Sequence, residues 1–256
     1  MLHTHEIQSL YLGVTRRISV WLPPTHARRA SPYPVLYLND GQNLFDPVRA
    51  FAGTTWGVAQ TAGRLVGLSR IPPLVVVGID HGAERRAREY LPVEDDRNPT
   101  SGQPLGREYA EFVTREVMPF VARNYPIARG ASHTGFGGSS YGAIAALNTV
   151  IVKPGIFGRL LIESPSLYVG EEYLLRRARA VDRWPARIYL GVGTRETSRP
   201  EENEETVRNV LKLESFLLRA GLGPRGLRTV VEEAGTHSEG AWAARLQGAL
   251  EFLYGE

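Results

Sequence analysis

The chain has 256 residues, 43% of them hydrophobic and 22% charged, with a net charge of +3. This makeup excludes a disordered, collagen-like or coiled-coil chain and suits a globular domain with a sizeable core. The absence of cysteine excludes disulfides, thiolate catalysis and cysteine metal sites. From the N-terminus, His3 and His5 fall on a short strand, and Arg17 to Leu22 alternates polar and apolar residues, as a half-exposed strand does, before stopping at Pro23-Pro24. Pro34 to Leu38 is a short apolar run ending in the turn signal Asn39-Asp40-Gly41. Leu74 to Ile79 is a second such run, and Trp56 to Leu68 between them reads as a crossover helix. Glu94 to Leu105 is polar and contains proline and glycine, so a surface loop is expected.

Tyr109, Phe112, Val113, Val117, Phe120 and Val121 follow helical spacing, with a kink expected at Pro119. His133 to Gly137 is a strand by position, and Ala143 to Val152 an apolar helix. Arg159 to Ile162 and Arg187 to Val192 are strands. Glu201 to Ala220 is a helix, Leu227 to Glu232 a strand, and Ala241 to Tyr254 a closing helix. Strand and helix thus alternate at least five times after Pro34, which predicts an α/β fold: one domain over residues 1–256, a mostly parallel sheet with helices on both faces.

The sharpest chemical signal is Gly138-Ser139-Ser140-Tyr141-Gly142, a G-x-S-x-G match between a strand and a small-residue helix. Small residues let the chain turn sharply there and leave Ser140 exposed at the apex as a nucleophile, while Ser139 points into the turn. A serine needs a base. Of the six histidines, His237 lies in the loop between the last strand and the last helix, where the chain order Ser, acid, His places it. His3 and His5 form an H-x-H pair without a third metal ligand nearby. His26 and His133 are expected in solvated or structural places, and His81 at the edge of a pocket. The acid that orients the imidazole should end a strand between Ser140 and His237. Glu196 and Glu163 both qualify, with Glu196 favoured because the loop after its strand is the usual site of such an acid. The oxyanion hole should combine the N–H of Tyr141 with one from the loop Asn39 to Asn43, for which Gln42 is the candidate. Trp56, Arg86 and Tyr90, with Tyr141 and Tyr168, either line the cleft or pack behind it.

The arginines are spread along the chain beside acidic residues, even at the densest group, Arg85, Arg86 and Arg88 followed by Glu89. No nucleic-acid partner is therefore expected. Gly221 to Gly226 matches G-x-G-x-x-G, but it follows a helix and Pro224 removes an N–H, so it reads as a helix stop and no dinucleotide site. No apolar run reaches the ~18 residues of a membrane span. The N-terminal segment lacks a charged stretch followed by an apolar one, so no signal peptide is expected, and a cytoplasmic chain is.

Several stretches together resemble the putative esterase family, the esterase D or enterobactin-esterase-like group of α/β-hydrolases. They are VLYLNDGQNLFD (Val35 to Asp46), PPLVVVGID (Pro72 to Asp80), Arg86-x-x-Glu89-Tyr90-Leu91-Pro92, FGGSSYGAIAAL, FGRLLIESPSLY, IYLGVGTRE and THSEGAW. The resemblance runs from about Arg16 to the end with every motif in order. It implies the α/β-hydrolase fold, Ser140 as nucleophile, His237 as base, Glu196 as acid, and no metal or organic cofactor. The family position after GGSS is often Met, and here it is Tyr141. The resulting expectation is a serine carboxylic-ester hydrolase of small-molecule esters. An acyltransferase on the same site, a siderophore trilactone esterase and a non-catalytic binding homologue stand as alternatives, and homo-oligomerisation is left open.

Overall fold

A computed structural model describes residues 1–24, 32–99 and 102–255. His26 lies outside them. The apolar runs become strands because each is long enough to cross one sheet and is closed by a turn residue. In chain order the elements are β1 (Leu2–Gln8), β2 (Thr15–Trp21), β3 (Val35–Asn39), α1 (Val58–Gly67), β4 (Val75–Ile79), α2 (Arg86–Tyr90), α3 (Gly106–Glu111), α4 (Met118–Asn124), β5 (Thr134–Ser139), α5 (Tyr141–Val152), β6 (Arg159–Glu163), α6 (Val169–Ala178), β7 (Arg187–Arg195), α7 (Pro200–Arg219), β8 (Leu227–Thr236) and α8 (Glu239–Tyr254).

The eight strands form one sheet in the order β1-β2-β4-β3-β5-β6-β7-β8. β1 and β2 run antiparallel to their neighbours, and β3 to β8 are parallel. Both faces of the parallel part are covered, which is why its strands are continuous apolar runs. The period of two sorts them. Leu36, Leu38 and Val76 pack with Val58 and Leu65 of α1 and Leu246 and Leu250 of α8. Val35, Tyr37, Val75 and Val77 pack with Tyr109, Ile144, Leu174, Val210 and Leu213 from α3, α5, α6 and α7. This is the α/β-hydrolase arrangement implied above. The first four strands by sequence form one half of the sheet and the last four the other, joined only along β3 and β5.

The helix expected to contain Pro119 widens just before it into a π-helical turn over Phe112–Val117, and Pro119 follows at the start of α4. One expectation needs correction. The stretch from Glu94 is not simply a surface loop, because Asp95 is buried.

Parallel strands bring their C-terminal ends to one edge, where ligands of open α/β sheets bind. That edge carries the loop Asp40 to Asn43 after β3, His81 after β4, Ser140 after β5, Glu196 after β7 and His237 after β8.

Candidate active site

β5 ends at Ser139 and α5 starts at Tyr141, so the whole reversal falls on Ser140, with φ 55° and ψ −127°. For a residue with a side chain this conformation costs about 1–3 kcal/mol and must be imposed by its surroundings. The surroundings do so by hydrogen bonds. Ser140 N donates to Glu163 O at 3.0 Å, and Ser140 O accepts from Ala143 N and Ile144 N at 3.1 and 3.2 Å. The flanking glycines are required by contact: a Cβ on Gly138 would lie 2.8 Å from the Gly142 carbonyl carbon, and one on Gly142 would lie 2.6 Å from Asp40 Oδ2. Ser139 is buried, as expected. Tyr141 opens α5, and the first N–H groups of a helix have no intrahelical acceptor. Its backbone N–H therefore stays free for a ligand at the N-terminal end of the helix.

His237 directly follows β8, which runs four residues beyond its expected end at Glu232. Its Nδ1 lies 2.6 Å from Glu196 Oε2. The other carboxylate oxygen, Oε1, accepts from Gly193 N at 2.5 Å and from the Ser164 hydroxyl at 2.7 Å. The Glu196 side chain is 1% exposed and the imidazole 34% exposed, so the carboxylate is held from behind and the ring faces outward. Burial alone would raise the Glu196 pKa. Hydrogen bonding to His237, the charge of the imidazole, and the Gly193 and Ser164 donors outweigh it and hold the carboxyl below its ordinary value.

Glu163, the other candidate acid, is committed elsewhere. Its Oε2 accepts from Arg245 Nε and Nη2 at 2.9 and 2.7 Å, and Arg245 also binds Glu232. The Glu163 carboxyl is fully buried, and burial pushes it up to about 7 against the neighbouring guanidinium. The same contacts hold Arg245 above its ordinary value. The geometry thus gives the imidazole to Glu196 and leaves Glu163 in an ion pair between β6 and α8.

Ser164 has φ 43° and is buried. Its Oγ also accepts from Trp242 Nε1 at 2.8 Å, and the Trp242 ring stands edge-on to the His237 imidazole, centroids 5.1 Å apart. Ser164, at positive φ, and Trp242 therefore hold the Glu196 carboxylate and wall the His237 imidazole. The Ser140 hydroxyl makes no hydrogen bond to the imidazole among the described residues. An indirect path connects them instead: Ser140 N donates to Glu163 O, and the hydroxyl of the next residue, Ser164, donates to the Glu196 carboxylate.

The loop after β3 turns at Asp40, φ 56°, into a single 3₁₀ turn over Gly41–Asn43. Gly41 is required there, since a Cβ would lie 2.7 Å from the Gly78 carbonyl carbon. The Gln42 side-chain carbonyl is occupied, its Oε1 accepting from His81 N at 3.1 Å, which anchors the residue whose backbone N–H is the oxyanion candidate. Asn43 Nδ2 donates to Glu239 Oε1 at 3.0 Å and Asn43 Oδ1 accepts from Phe51 N at 3.0 Å. The loop is therefore tied to the start of α8, two residues past His237.

Arg86 forms a fork with Asp40, Nε to Oδ1 at 2.7 Å and Nη2 to Oδ2 at 2.9 Å, and lies over the rings of Tyr90 and Tyr141. Tyr90 is fully buried and accepts from Asp40 N. Trp56 is 3% exposed and packs on Trp242, centroids 5.8 Å apart. Both are behind the site and present no open face to a ligand, whereas Arg86 remains partly exposed. Asp95 Oδ2 accepts from the hydroxyls of Tyr141 and Tyr168. Among the described residues no group of three or more His, Cys, Asp or Glu side chains could hold a metal ion, and His5 is engaged by Tyr125 Oη at 2.5 Å. No helix among them is long and apolar enough to cross a membrane.

The family model described as "Putative esterase" matches residues 9–253. The protein YbbA of Bacillus subtilis (strain 168), described as uncharacterized, is 24% identical over 249 residues, 94% of this chain and 93% of its own. The ferri-bacillibactin esterase BesA of the same organism is 24% identical over 211 residues, 74% of this chain and 69% of its own. A solved structure of a ferulic acid esterase superposes with a TM-score of 0.75 at 18% identity, covering 99% of this chain and 97% of that one.

Proposed function

The chain belongs to the family described as Putative esterase and is a hydrolase of esters; we propose that it cleaves carboxylic esters through an acyl-enzyme on Ser140. The observation that supports this most directly is the pairing of His237 Nδ1 with a buried, ionised Glu196, at the sheet edge that carries the strained serine turn. With Nδ1–H donated to the carboxylate, Nε2 is the ring nitrogen left to take the Ser140 proton. The deprotonated oxygen attacks the ester carbonyl. The N–H groups of Tyr141 and Gln42 hold the negative oxygen of the tetrahedral intermediate, a contribution of ~10²–10³ in rate for one such donor. His237 returns its proton to the leaving alcohol. Water then repeats the cycle with His237 as base, and the acid departs.

Arg86 has a supporting part in this reading. Its fork on Asp40 fixes the turn that presents the Gln42 N–H, and its guanidinium over Tyr141 borders the other donor. Trp56 and Tyr90 support the same two loops from the core. Ser140→Ala is expected to abolish p-nitrophenyl acetate hydrolysis and labelling by a fluorophosphonate while the chain keeps its melting transition. Turnover retained by that variant removes the nucleophile assignment. A panel of acetyl, long-chain, aryl and siderophore trilactone esters, run with and without a competing alcohol, then assigns acyl preference and separates hydrolysis from acyl transfer.

A further inference from the structure

β8 closes one side of the sheet, with β7 as its only strand neighbour among the described residues. Gly226 O accepts from Ile188 N at 2.7 Å, which fixes the alternation of the ladder. Even-numbered residues of β8 turn their backbone groups to β7, and Thr229, Val231 and Glu233 turn theirs outward. An open row of N–H and C=O groups is a template for another strand, and charges along such an edge ordinarily discourage pairing. Here the order of the charges has the opposite effect, because it is complementary to itself.

We propose that β8 pairs antiparallel with β8 of a second copy of this chain, about a two-fold axis at Val230, to give one continuous sheet across a dimer. In that register Val230 meets Val230 of the partner subunit, and Arg228 meets Glu232 of the partner subunit, twice over by symmetry. Thr229 then lies opposite Val231 of the partner subunit. Both have outward backbone groups, so these are the positions that exchange hydrogen bonds, and the register agrees with the ladder already present. Side chains 228, 230 and 232 share the face toward α8. Arg228 lies over the Phe252 ring, Val230 packs with the α8 cluster, and Glu232 binds Arg245. Arg228 is in no ion pair within its own chain among the described residues, so its charge is free to meet the carboxylate across the axis. The other face supplies apolar surface. Leu227 packs with the α7 side of the sheet, and Val231 on the same face is 40% exposed, with Leu211 and Leu218 of α7 exposed by 42% and 52%. Val231, Leu211 and Leu218 are uncovered among the described residues and would meet their copies across the axis.

The test is sedimentation velocity of the full chain from ~1 to ~100 µM, a range in which an ordinary dimer assembles by mass action. The expected result is a species of twice 28.3 kDa at the upper end. Arg228→Glu places carboxylates opposite each other at two positions and is expected to weaken the dimer roughly tenfold or more, while Arg228→Lys keeps it. Val231→Pro removes an outward N–H that bonds nothing among the described residues and is expected to leave a monomer. Turnover of p-nitrophenyl acetate checks that each variant folds, and it reads independently of assembly. Hydrogen exchange serves if the proline variant fails to fold: the amides of Thr229, Val231 and Glu233 are expected to be protected in the concentrated wild type and fast in Arg228→Glu. A wild type that stays monomeric through this range overturns the proposal. So does a dimer that Arg228→Glu leaves unchanged, since it must use another surface.

Discussion

Replacing Ser164 with glycine removes one hydroxyl and two hydrogen bonds from the rear of the site. The hydroxyl donates to Glu196 Oε1 at 2.7 Å and accepts from Trp242 Nε1 at 2.8 Å. A bond to an ionised group contributes about 1.5–3 kcal/mol, and a buried indole N–H left without an acceptor costs about 1–3 kcal/mol. Glycine recovers on the order of 1 kcal/mol by relaxing the residue at φ 43°. The net loss is about 1.5–5 kcal/mol, a fall in melting temperature of about 3–20 °C for a domain of this size. Glu196 keeps the Gly193 N–H and the imidazole, so it stays charged but turns more freely. The expected fall in kcat is ~10–100-fold, about 1.4–2.7 kcal/mol in barrier. KM should barely move, because a buried Ser164 touches no substrate. Ser164→Ala, which retains the strained backbone, should match glycine in kcat and melt lower. The assay is p-nitrophenyl acetate kinetics beside thermal melts of both variants. A folded glycine variant with kcat within about twofold of wild type would show that Ser164 does not hold the acid, and the reasoning would fail.

Ser140→Gly should be inactive yet melt a few degrees higher than wild type, since the φ 55°, ψ −127° conformation no longer carries a side-chain penalty; an unchanged or lower melting temperature argues against strain at the turn. Arg245→Met should destabilise the chain by about 3–5 kcal/mol at pH ~8, where it leaves a buried carboxylate unpaired, and by less at pH ~5, where a proton replaces the guanidinium; denaturant melts of this variant and of Glu163→Gln/Arg245→Met, expected to recover most of the loss, decide it. The folded Glu163 carboxyl, raised to about 7, holds a proton that the unfolded chain releases near 4.5. Its contribution therefore makes stability fall as pH rises between those values, and Glu163→Gln should flatten that slope; an unaltered slope counts against the shift. Tyr141→Phe keeps the backbone N–H but removes a donor from buried Asp95, so a stability loss of about 1–3 kcal/mol with near-normal acetate turnover is expected; a collapse of kcat on acetate would mean the phenol acts in the chemistry.

The sheet and the serine turn were legible because their signals are local. An apolar run closed by Asn39-Asp40-Gly41 reads as a buried strand wherever it sits, and glycines two positions either side of Ser140 are demanded by contacts at that very turn. His237 was legible from chain order. The supporting residues were not, because their roles are made by contacts between distant segments. Ser164-Pro165-Ser166 reads as a plain turn, and Trp242 as one apolar position of a helix. Their hydrogen bond exists only because α8 crosses the end of β6. Asp95 sits in a polar stretch that resembles solvent-facing loop, and only the two tyrosine hydroxyls from other segments make it a buried acceptor. Glu163 and Glu196 both qualified in sequence, with Glu196 favoured only by the position of its loop, and the partner arriving from α8, Arg245 or none, separates them. α6 was not anticipated. Gly170, Glu171 and Glu172 within it take left-handed backbone angles, so it lacks an uninterrupted helical pattern.

The chain divides its labour at the seam between β3 and β5. Everything up to Tyr90 supplies the turn at Gln42 and the arginine that braces it, and everything from Thr134 onward supplies the serine, the carboxylate and the imidazole. Cut between α2 and α3, the polypeptide would yield one fragment holding the Gln42 turn alone and another holding the serine, carboxylate and imidazole with only the Tyr141 N–H beside them. The ladder from Val35 to Leu38 against Thr134 to Gly137, with the Asn39 amide donating to Gly142 O at 2.6 Å, is the surface on which they would rejoin. Ester turnover from a mixture of the two pieces would then register their reunion, as a reporter that stays silent until both are present.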